Sequence, residues 1–578
     1  VDSTATIPAS PAVTGRDLRP KRSFDPMVIL WIALALILMF LVINPLVRLI
    51  LDSFRQVGGS DFTLANYITA FSRARHIQAV VNTLWMASFA SLIAVAMAVP
   101  LAWAVSRTDM PGREWAHASV IAAFIIPTFL GAIGWMLLAG PNAGWLNRIF
   151  VGLFGAEKGP FNVFSFWGLC FVIGIYAFPL IYVFTRSALD LISTEMEEAA
   201  AVHGAGTLRT MMKVTLPLVL PAILGGFILV FLEATALYGT PALIAIPARF
   251  NVATTQLATF FEHPLRVEVA AAFSMPMIGV TIALLWIQRL ILSNRSYVSV
   301  SGKGGDRRLV RLGPWKWLLA TYALLIALVT VLLPLLVLLH CAFAKAWGQG
   351  ASISNLTLDN FHHIFFEQLT VRRSMWNTFS YAAVTATACC TLGFGIAYIV
   401  QRRLLPLAPV LSFLTLSPVI IPGIVLAICF YSAYAGAPFY LYGSSAIIII
   451  AFITRFLPIA FVSVGSGIRS INPELEEAVR ILGGNRLMVL RRVVAPLLKK
   501  TLLGAWILTF VLATRELSTA VFLSGPETRV ISVLTLDLSE QGRYEILAAM
   551  GVVLLVVTTL VVLAGMRVLG RDFMLRRT

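Results

Sequence analysis

Charged residues are scarce in this 578-residue chain, and those whose type and spacing could do chemistry fall into two groups. The first is a segment that occurs twice, STEMEEAAAVHGAGTLRTMMKVTLPL from Ser193 to Leu218 and NPELEEAVRILGGNRLMVLRRVVAPL from Asn472 to Leu497. At an offset of 279, Glu195, Glu197, Glu198, Ala199, Gly204, Leu208, Val214 and Pro217 recur as Glu474, Glu476, Glu477, Ala478, Gly483, Leu487, Val493 and Pro496. Carboxylates open each copy and Arg209 and Lys213, or Arg486, Arg491 and Arg492, close it, a pattern suited to charge pairing and docking. The second group is ionisable residues inside apolar runs, Glu233 in FLEATALYGTP and Arg515 and Glu516 in VLATRELSTA, where burial in lipid is costly and a functional role is the default. No HExxH, clustered histidines or nucleophile motif accompanies them, so no catalytic residue is assigned. The five cysteines (Cys170, Cys341, Cys389, Cys390 and Cys429) show no CxxC and no ligand spacing, and read as packing residues, with no metal site and no cofactor assigned to the chain.

The elements that must position these groups are membrane helices. At 59% hydrophobic and 12% charged residues, with a mean hydropathy of +0.87, the chain is far more apolar than a soluble domain. A spanning helix needs roughly 20 apolar residues. Twelve such runs fall at about 27–50, 79–105, 116–139, 166–186, 219–245, 269–291, 315–343, 376–400, 408–432, 443–465, 500–523 and 545–567. The ten-residue alternation of a barrel strand is absent. The net charge of +17 sits in connectors between alternate runs, as the cytoplasmic bias of Lys and Arg dictates, so it argues for a lipid bilayer as partner and against nucleic acid. With those connectors inside, both termini face the cytoplasm. The polar residues 1–26 read as a cytoplasmic tail, and the first run, too long for a cleaved signal, as an uncleaved span.

The repeat reaches beyond the charged segment. Asn82, Thr83, Arg107 and Pro127 recur as Asn377, Thr378, Arg402 and Pro422 at an offset of 295, and the offset returns to 279 by Pro179 and Pro458. The 16 extra residues of the first half therefore lie between those prolines, in the segment 140–165. Six spans per half is an even number, so the halves are parallel rather than inverted repeats. The organisation expected is a tail at 1–26, a first repeat at 27–292, a basic cytoplasmic linker at 293–314, a second repeat at 315–567 and a tail at 568–578. Pro127 and Pro422 predict kinks in spans three and nine. Tyr238, Gly239 and Pro241 interrupt span five, and Ser524, Gly525 and Pro526 end span eleven, as gates or as turns.

Within each repeated segment, Ser193 or Asn472 suits a helix N-cap, Pro473 suits the first helical position, and the glutamates suit the positive end of the helix. Gly204 and Gly483 suit the stop, and Pro217 or Pro496 marks entry into the next span. The expectation is an acidic-then-basic helical knob on the cytoplasmic face. Its spacing, Glu-Ala, then Gly, then Pro, resembles the "EAA" coupling loop of ATP-binding cassette importer permeases, and the fused six-plus-six layout resembles the ferric-iron and thiamine permeases of that group. The second copy departs mildly, with Val479 for the second alanine and Ala495-Pro496 for Leu-Pro.

That resemblance implies a type I importer permease fold, an all-α membrane protein of twelve helices in two pseudo-symmetric halves. It implies two copies of a cytoplasmic ATPase subunit and a periplasmic substrate-binding protein as partners, in a bacterial inner membrane, with alternating access driven by ATP. Glu198 and Glu477 would face basic groups of the ATPase, Ala199 and Ala478 would permit close approach, and Gly204 and Gly483 would shape the turn. No GxxxxGK[ST] is present, so the permease is not an enzyme and energy must come from another subunit. The substrate implied is ferric iron, with thiamine, phosphonate or phosphorylated sugar as alternatives. Glu233, Tyr238, Arg515 and Glu516 are the pathway candidates; Arg515 and Glu516 would equally serve to satisfy one another or neighbouring helices. His362 and His363 lack a supporting ligand set and read as solvent-exposed. A rival reading is a proton-coupled secondary transporter with parallel halves, supported by RTDMPGR at Arg107 to Arg113, whose counterpart QRRLLP has no acidic residue.

Overall fold

A computed structural model describes residues 27–56, 59, 61–192, 194–262, 264–293, 309–350, 352–404 and 407–570. Both expected tails, apart from 568–570, and most of the expected linker lie outside them, as do Ser193 and the side chain of Leu208. Among the described residues there are helices and a few isolated bridges but no strand. Nine single helices are long and apolar enough to cross a membrane: Ile29–Ser53, Ala74–Arg107, Phe166–Leu191, Met211–Ala236, Val267–Ile291, Trp315–Ala342, Leu369–Gln401, Ser445–Arg469 and Tyr544–Leu569. Three bent pairs bring the number to twelve, Arg113–Ile125 with Thr128–Ala139, Ala408–Ile420 with Gly423–Tyr434, and Arg486–Leu497 with Lys499–Thr514.

The bends mark where apolar length alone misjudges the path. Spans three and nine do not merely kink; they turn through 100° and 113°. Ile126 and Pro127, and Ile421 and Pro422, take extended backbone because proline has no N–H and its ring forces the preceding residue out of the helical region. Span five was expected to run to 245, yet its helix ends at Ala236, Leu237 is extended, and a separate short helix Gly239–Ile244 follows. Span eleven was expected to reach 523; its helix ends at Thr514, and it enters through a 74° bend at Leu498, just after Pro496.

Four prolines inside spans are accommodated in one way. Widened π-helical turns at Met39–Ile43, Met211–Thr215, Leu328–Leu332 and Leu490–Val494 end two residues before Pro45, Pro217, Pro334 and Pro496. A proline cannot donate to the turn before it, and the wider turn relieves the clash with the carbonyl there. The carbonyls freed ahead of Pro45 find donors in the other half: the Tyr434 hydroxyl donates to Phe40 O, and Thr454 Oγ1 donates to Leu41 O at 3.4 Å. In lipid such partners must come from protein.

These bonds belong to an exchange between the halves. Span one packs on spans nine and ten of the second half, and span seven packs on spans two and three of the first. Gly134 lets Pro334 seat on the buried helix Thr128–Ala139, since a Cβ there would lie 2.9 Å from the proline Cβ. The Asn-Thr repeat pins each half at the end opposite the knobs. Thr83 Oγ1 accepts from Ala253 N–H and Thr378 Oγ1 from Ile531 N–H, each at 2.7 Å. Asn82 Nδ2 donates to Asn251 O, and Asn377 Nδ2 to Glu527 O and Arg529 O, at 2.9 to 3.0 Å. The short helices Ala253–Thr259 and Ile531–Glu540 are thereby fixed to spans two and eight.

Replacing Thr378 by valine removes the acceptor for a buried N–H. A loss of about 1–3 kcal/mol is expected, read as a lowered thermal midpoint of the purified protein in detergent, with Thr83→Val behaving alike. An unchanged midpoint in both variants would rule out the pinning role.

Candidate functional site

The repeated segments form two knobs at one end of the bundle, built on the helices Thr194–Val202 and Glu474–Ile481. Asn472 Oδ1 accepts from Glu474 N–H at 3.1 Å, and Pro473 stands at the boundary of the helix, one position earlier than expected. Gly204 and Gly483 lie at φ +79° and +82°, the left-handed region that favours glycine. Beyond them Ala205 N–H donates to Ala200 O and Gly484 N–H to Val479 O at 3.0 and 2.9 Å, closing the helix in a Schellman turn.

Of the paired glutamates in each knob, the first turns inward. Glu476 is 8% exposed: Arg402 donates to its Oε1 through Nε at 2.8 Å, with Nη2 2.7 Å away, and the Tyr398 hydroxyl donates to Oε2 at 3.0 Å. Glu197 accepts from Thr215 Oγ1 at 2.8 Å and lies 3.5 Å from Arg107 Nη1. The same arginines close the loops before the knobs, Arg107 Nη2 on Leu189 O and Ile192 O and Arg402 Nη2 on Ile471 O. The second glutamates, Glu198 and Glu477, and the alanines after them, Ala199 and Ala478, are exposed. So are Val202, Ile481 and Leu482, each at least 86% exposed, an unusual placement for large apolar side chains at a helix end.

The remaining candidates meet near the line between the halves. Arg515 and Glu516 stand just past the end of the span eleven helix and diverge. Arg515 Nη1 donates to Phe124 O at 2.8 Å, with its guanidinium 5.1 Å from the Phe124 ring centroid. Glu516 is buried and held by Arg455 Nε at 2.8 Å and by the N–H and hydroxyl of Thr519 at 2.9 and 3.0 Å. Glu233 is exposed, in no ion pair among the described residues, and within electrostatic range of Arg515. Tyr238 is buried against Phe522 of the other half, ring centroids 5.8 Å apart, and a Cβ on Gly239 would lie 2.4 Å from Leu517 Cδ2. Phe261 continues this seam, 4.6 Å from Phe522 and 5.6 Å from Tyr431. His362 and His363 lie far from it, on Glu367 at 3.0 and 2.5 Å. Asp109 of RTDMPGR accepts from Leu312 N–H at 3.0 Å, fastening the start of the second half to the end of span two.

Several residues of this seam escaped the sequence reading. Arg455 was findable, as the charged residue of an otherwise apolar run, and its counterpart at the offset of 279 is Tyr176, whose hydroxyl is buried without a partner among the described residues. Glu262, Asp537 and Glu540 lie outside the apolar runs and so trip no intramembrane rule. The Asn-Thr pins make Ala253 equivalent to Ile531, an offset of 278, at which Glu262 matches Glu540. Burial, then the charges of Asp537 and Glu262, hold the Glu540 carboxyl above its ordinary range. Burial likewise raises Asp537, opposed by Arg529 Nη1 2.7 Å from its Oδ2. Glu262 and Glu540 thus hold equivalent positions in the two halves, within electrostatic range of one another, at the end away from the knobs. Among the described residues no three His, Cys, Asp or Glu side chains stand close enough to hold a metal ion.

A parallel duplication of six spans, with a knob in each half and a seam between them, defines a membrane transport component. Residues 72–296 and 391–574 match the family described as binding-protein-dependent transport system inner membrane component, and the chain belongs to that family. It is 27% identical over 551 residues to the ferric transport system permease protein FbpB of Actinobacillus pleuropneumoniae, covering 92% of this chain and 77% of the relative. To the Fe(3+)-transport system permease protein FbpB 2 of Haemophilus influenzae it is 20% identical over 522 residues, covering 89% and 93%. Among solved structures, a chain of a bacterial alginate ABC transporter in complex with an alginate-bound periplasmic protein aligns with a TM-score of 0.39 at 17% identity, over 48% of this chain and 96% of that one.

The inward glutamate is testable by a double-mutant cycle. Arg402→Met alone strands a buried carboxylate and is expected to cost about 3–5 kcal/mol, whereas Arg402→Met with Glu476→Met should recover most of it. Additive losses in thermal or denaturant unfolding would show that the pair is not coupled.

Proposed function

We propose that this chain is the translocation subunit of an importer for ferric iron, driven by two copies of a separate cytoplasmic ATPase and supplied by a periplasmic binding protein. The observation that carries the coupling role is the division of labour in each knob. One glutamate is tied to a span-end arginine, while Glu198 with Ala199, and Glu477 with Ala478, stay exposed beside bare apolar residues. A surface that is apolar at its centre and charged at its edge suits docking into a groove on another protein. Gly204 and Gly483 would fix the turn, and Pro217 and Pro496 would pass the motion into spans five and eleven. No cofactor is assigned to the chain itself, and the knob end with both termini would face the cytoplasm.

For the substrate, the ferric permeases among its relatives agree with the carboxylates at the opposite end. Glu262, Glu540 and Asp537, with Tyr238 behind them, offer hard oxygen groups to a hard cation arriving from outside. Arg515, Glu233 and the Tyr238 seam would form the next stage of the path, with Glu516 and Arg455 holding its wall. Alternating access would then open the seam at Gly239 and Leu517.

Affinity purification of the chain from its native membrane should recover an ATPase and a binding protein. Glu198→Ala with Glu477→Ala should reduce retained ATPase several-fold while the chain stays folded, and full retention would discard the coupling role. In proteoliposomes carrying the recovered complex, the binding protein loaded with Fe³⁺ should stimulate ATP hydrolysis and ⁵⁵Fe uptake. Stimulation by thiamine, a phosphonate or a sugar phosphate instead would replace the substrate and leave the coupling role intact.

A further inference from the structure

A cavity of about 320 Å³ at the outer end of the first half, beside the start of span two, shares only Glu262 with the transport scheme above. Its floor is polar and buried, with His76 and Gln256 each 2% exposed. His76 Nδ1 lies 2.9 Å from Ala70 O and so carries the hydrogen, which leaves Nε2 to accept from Arg75 Nε at 3.4 Å. Gln256 Nε2 donates to Thr259 Oγ1 at 2.7 Å, and its Oε1 accepts from Asn251 Nδ2 at 3.2 Å. The floor is thus a bonded network rather than a gap between loops.

The rim carries Arg73, Arg75 and Arg266 against a single carboxylate, Glu262. None of the three arginines is in an ion pair among the described residues, and the bond to His76 orients Arg75 while leaving its two terminal nitrogens free. Two long helices, Ala74–Arg107 and Val267–Ile291, begin here and add the positive ends of their dipoles. Arg75 also borders an adjoining hollow of about 420 Å³ lined by Gln78, Asn82 and Arg249, the last at φ +61°, a left-handed backbone rarely taken by arginine.

The second half does not repeat this arrangement. At the offset of 295 the counterparts of Arg73, Arg75 and His76 are Gln368, Thr370 and Val371, and at 278 that of Arg266 is Tyr544. Two of its own arginines at this end are paired, Arg373 with Glu527 at 2.8 Å and Arg529 with Asp537 at 2.7 Å, while Arg372 and Arg543 stand at the starts of spans eight and twelve with no histidine beside them. The combination of Arg73, Arg75, His76 and Arg266 is therefore particular to the first half.

We propose that this cavity binds an oxyanion, gripped by Arg73, Arg75 and Arg266 over the His76 and Gln256 floor. Guanidinium forks match phosphate and carboxylate geometry, and the volume equals that of roughly ten waters at about 30 Å³ each, room for inorganic phosphate or a small polycarboxylate with its water. The anion is either free in the surrounding solution or a carboxylate carried on a docking protein. The site stands on its own geometry and does not depend on the importer reading.

The test uses the full chain in lipid nanodiscs, with radiolabelled inorganic phosphate in equilibrium dialysis at low ionic strength and citrate as competitor. Wild type should bind at one saturable site, Arg75→Gln with Arg266→Gln should weaken it at least tenfold, and Arg75→Lys should weaken it less. Arg373→Gln, outside the cavity, should leave it unchanged. Absence of saturable binding to wild type, or equal binding by the double variant at an unaltered thermal midpoint, would overturn the proposal. Saturating phosphate that blocks docking of the binding protein would assign the site to a partner carboxylate, and docking unaffected by bound phosphate would assign it to a free anion; both outcomes require the cavity to bind.

Discussion

Everything the knobs could transmit depends on one buried pairing in each half, a glutamate from the knob against an arginine at the end of a long span. A charged loop at the surface of a helical bundle would otherwise be held only by its two chain connections, and force applied to it would be dissipated in the loop. Arg402 is 14% exposed as a side chain and ties Glu476 and the carbonyl of Ile471 to the end of span eight. Arg107 does the same for Glu197, Leu189 and Ile192 at the end of span two. Spans two and eight pack along spans four and ten respectively, so the knob is continuous with the most extensive helix pairing of its half. A buried ion pair of this kind adds little net stability but is costly to break on one side, which makes it a fastening rather than a source of stability.

The halves are one mechanical body despite the duplication. Each contributes its first span to the other's third, and the carbonyls freed at Pro45 are satisfied by Tyr434 and Thr454 across the boundary. Any rocking of one half carries a helix seated on the other. Movement is then easiest where the contact is apolar packing, with Leu517 on the Gly239 backbone and Tyr238 against Phe522, and not where backbone groups depend on a partner across the seam.

Local features were the legible ones. Gly204 and Gly483 as stops, the prolines at span entries and the twofold knob all follow from backbone rules that act over a few residues, and all are found where the spacing puts them. The Asn-Thr repeat was visible as a repeat, but its role as a pin needed Ala253 and Ile531, more than 150 residues away. The end of span eleven was misread because its apolar run continues past Thr514, whereas span five is interrupted at Tyr238 and Gly239, where the sequence places the interruption. The break at Leu237 falls four residues before Pro241, whose ring would clash with the Leu237 carbonyl in a continuous helix, and Leu517 of the opposite half packs against Gly239 just beyond it. Glu262 and Glu540 were hidden for a different reason: their meaning lies in holding equivalent positions of the two halves, which the repeat offset of 279 obscures by one residue.

The distribution of chemistry over the two halves is the clearest consequence of joining them in one chain. Elements that bear load are present twice: the knobs, their arginines, the Asn-Thr pins, the π turns before proline and the broken third spans. Elements that carry specific charge in or near the seam are present once. Arg455 and Glu516 pair in the second half where the first has Tyr176 and Leu237 at the offset of 279, and Glu233 faces a position held by Leu512. Two identical separate subunits would be obliged to place every charge twice, and a like pair on the symmetry line repels unless it is solvated or shares a counter-ion. Glu262 and Glu540 place a carboxylate at equivalent positions of both halves, and the Glu540 carboxyl is raised first by burial, then by Asp537 and last by Glu262. Carboxylates on both sides of the pseudo-symmetry line, at the end of a seam whose other charges are single-sided, fit the proposed entry of a cation, since neither half alone would have to supply every oxygen group it meets.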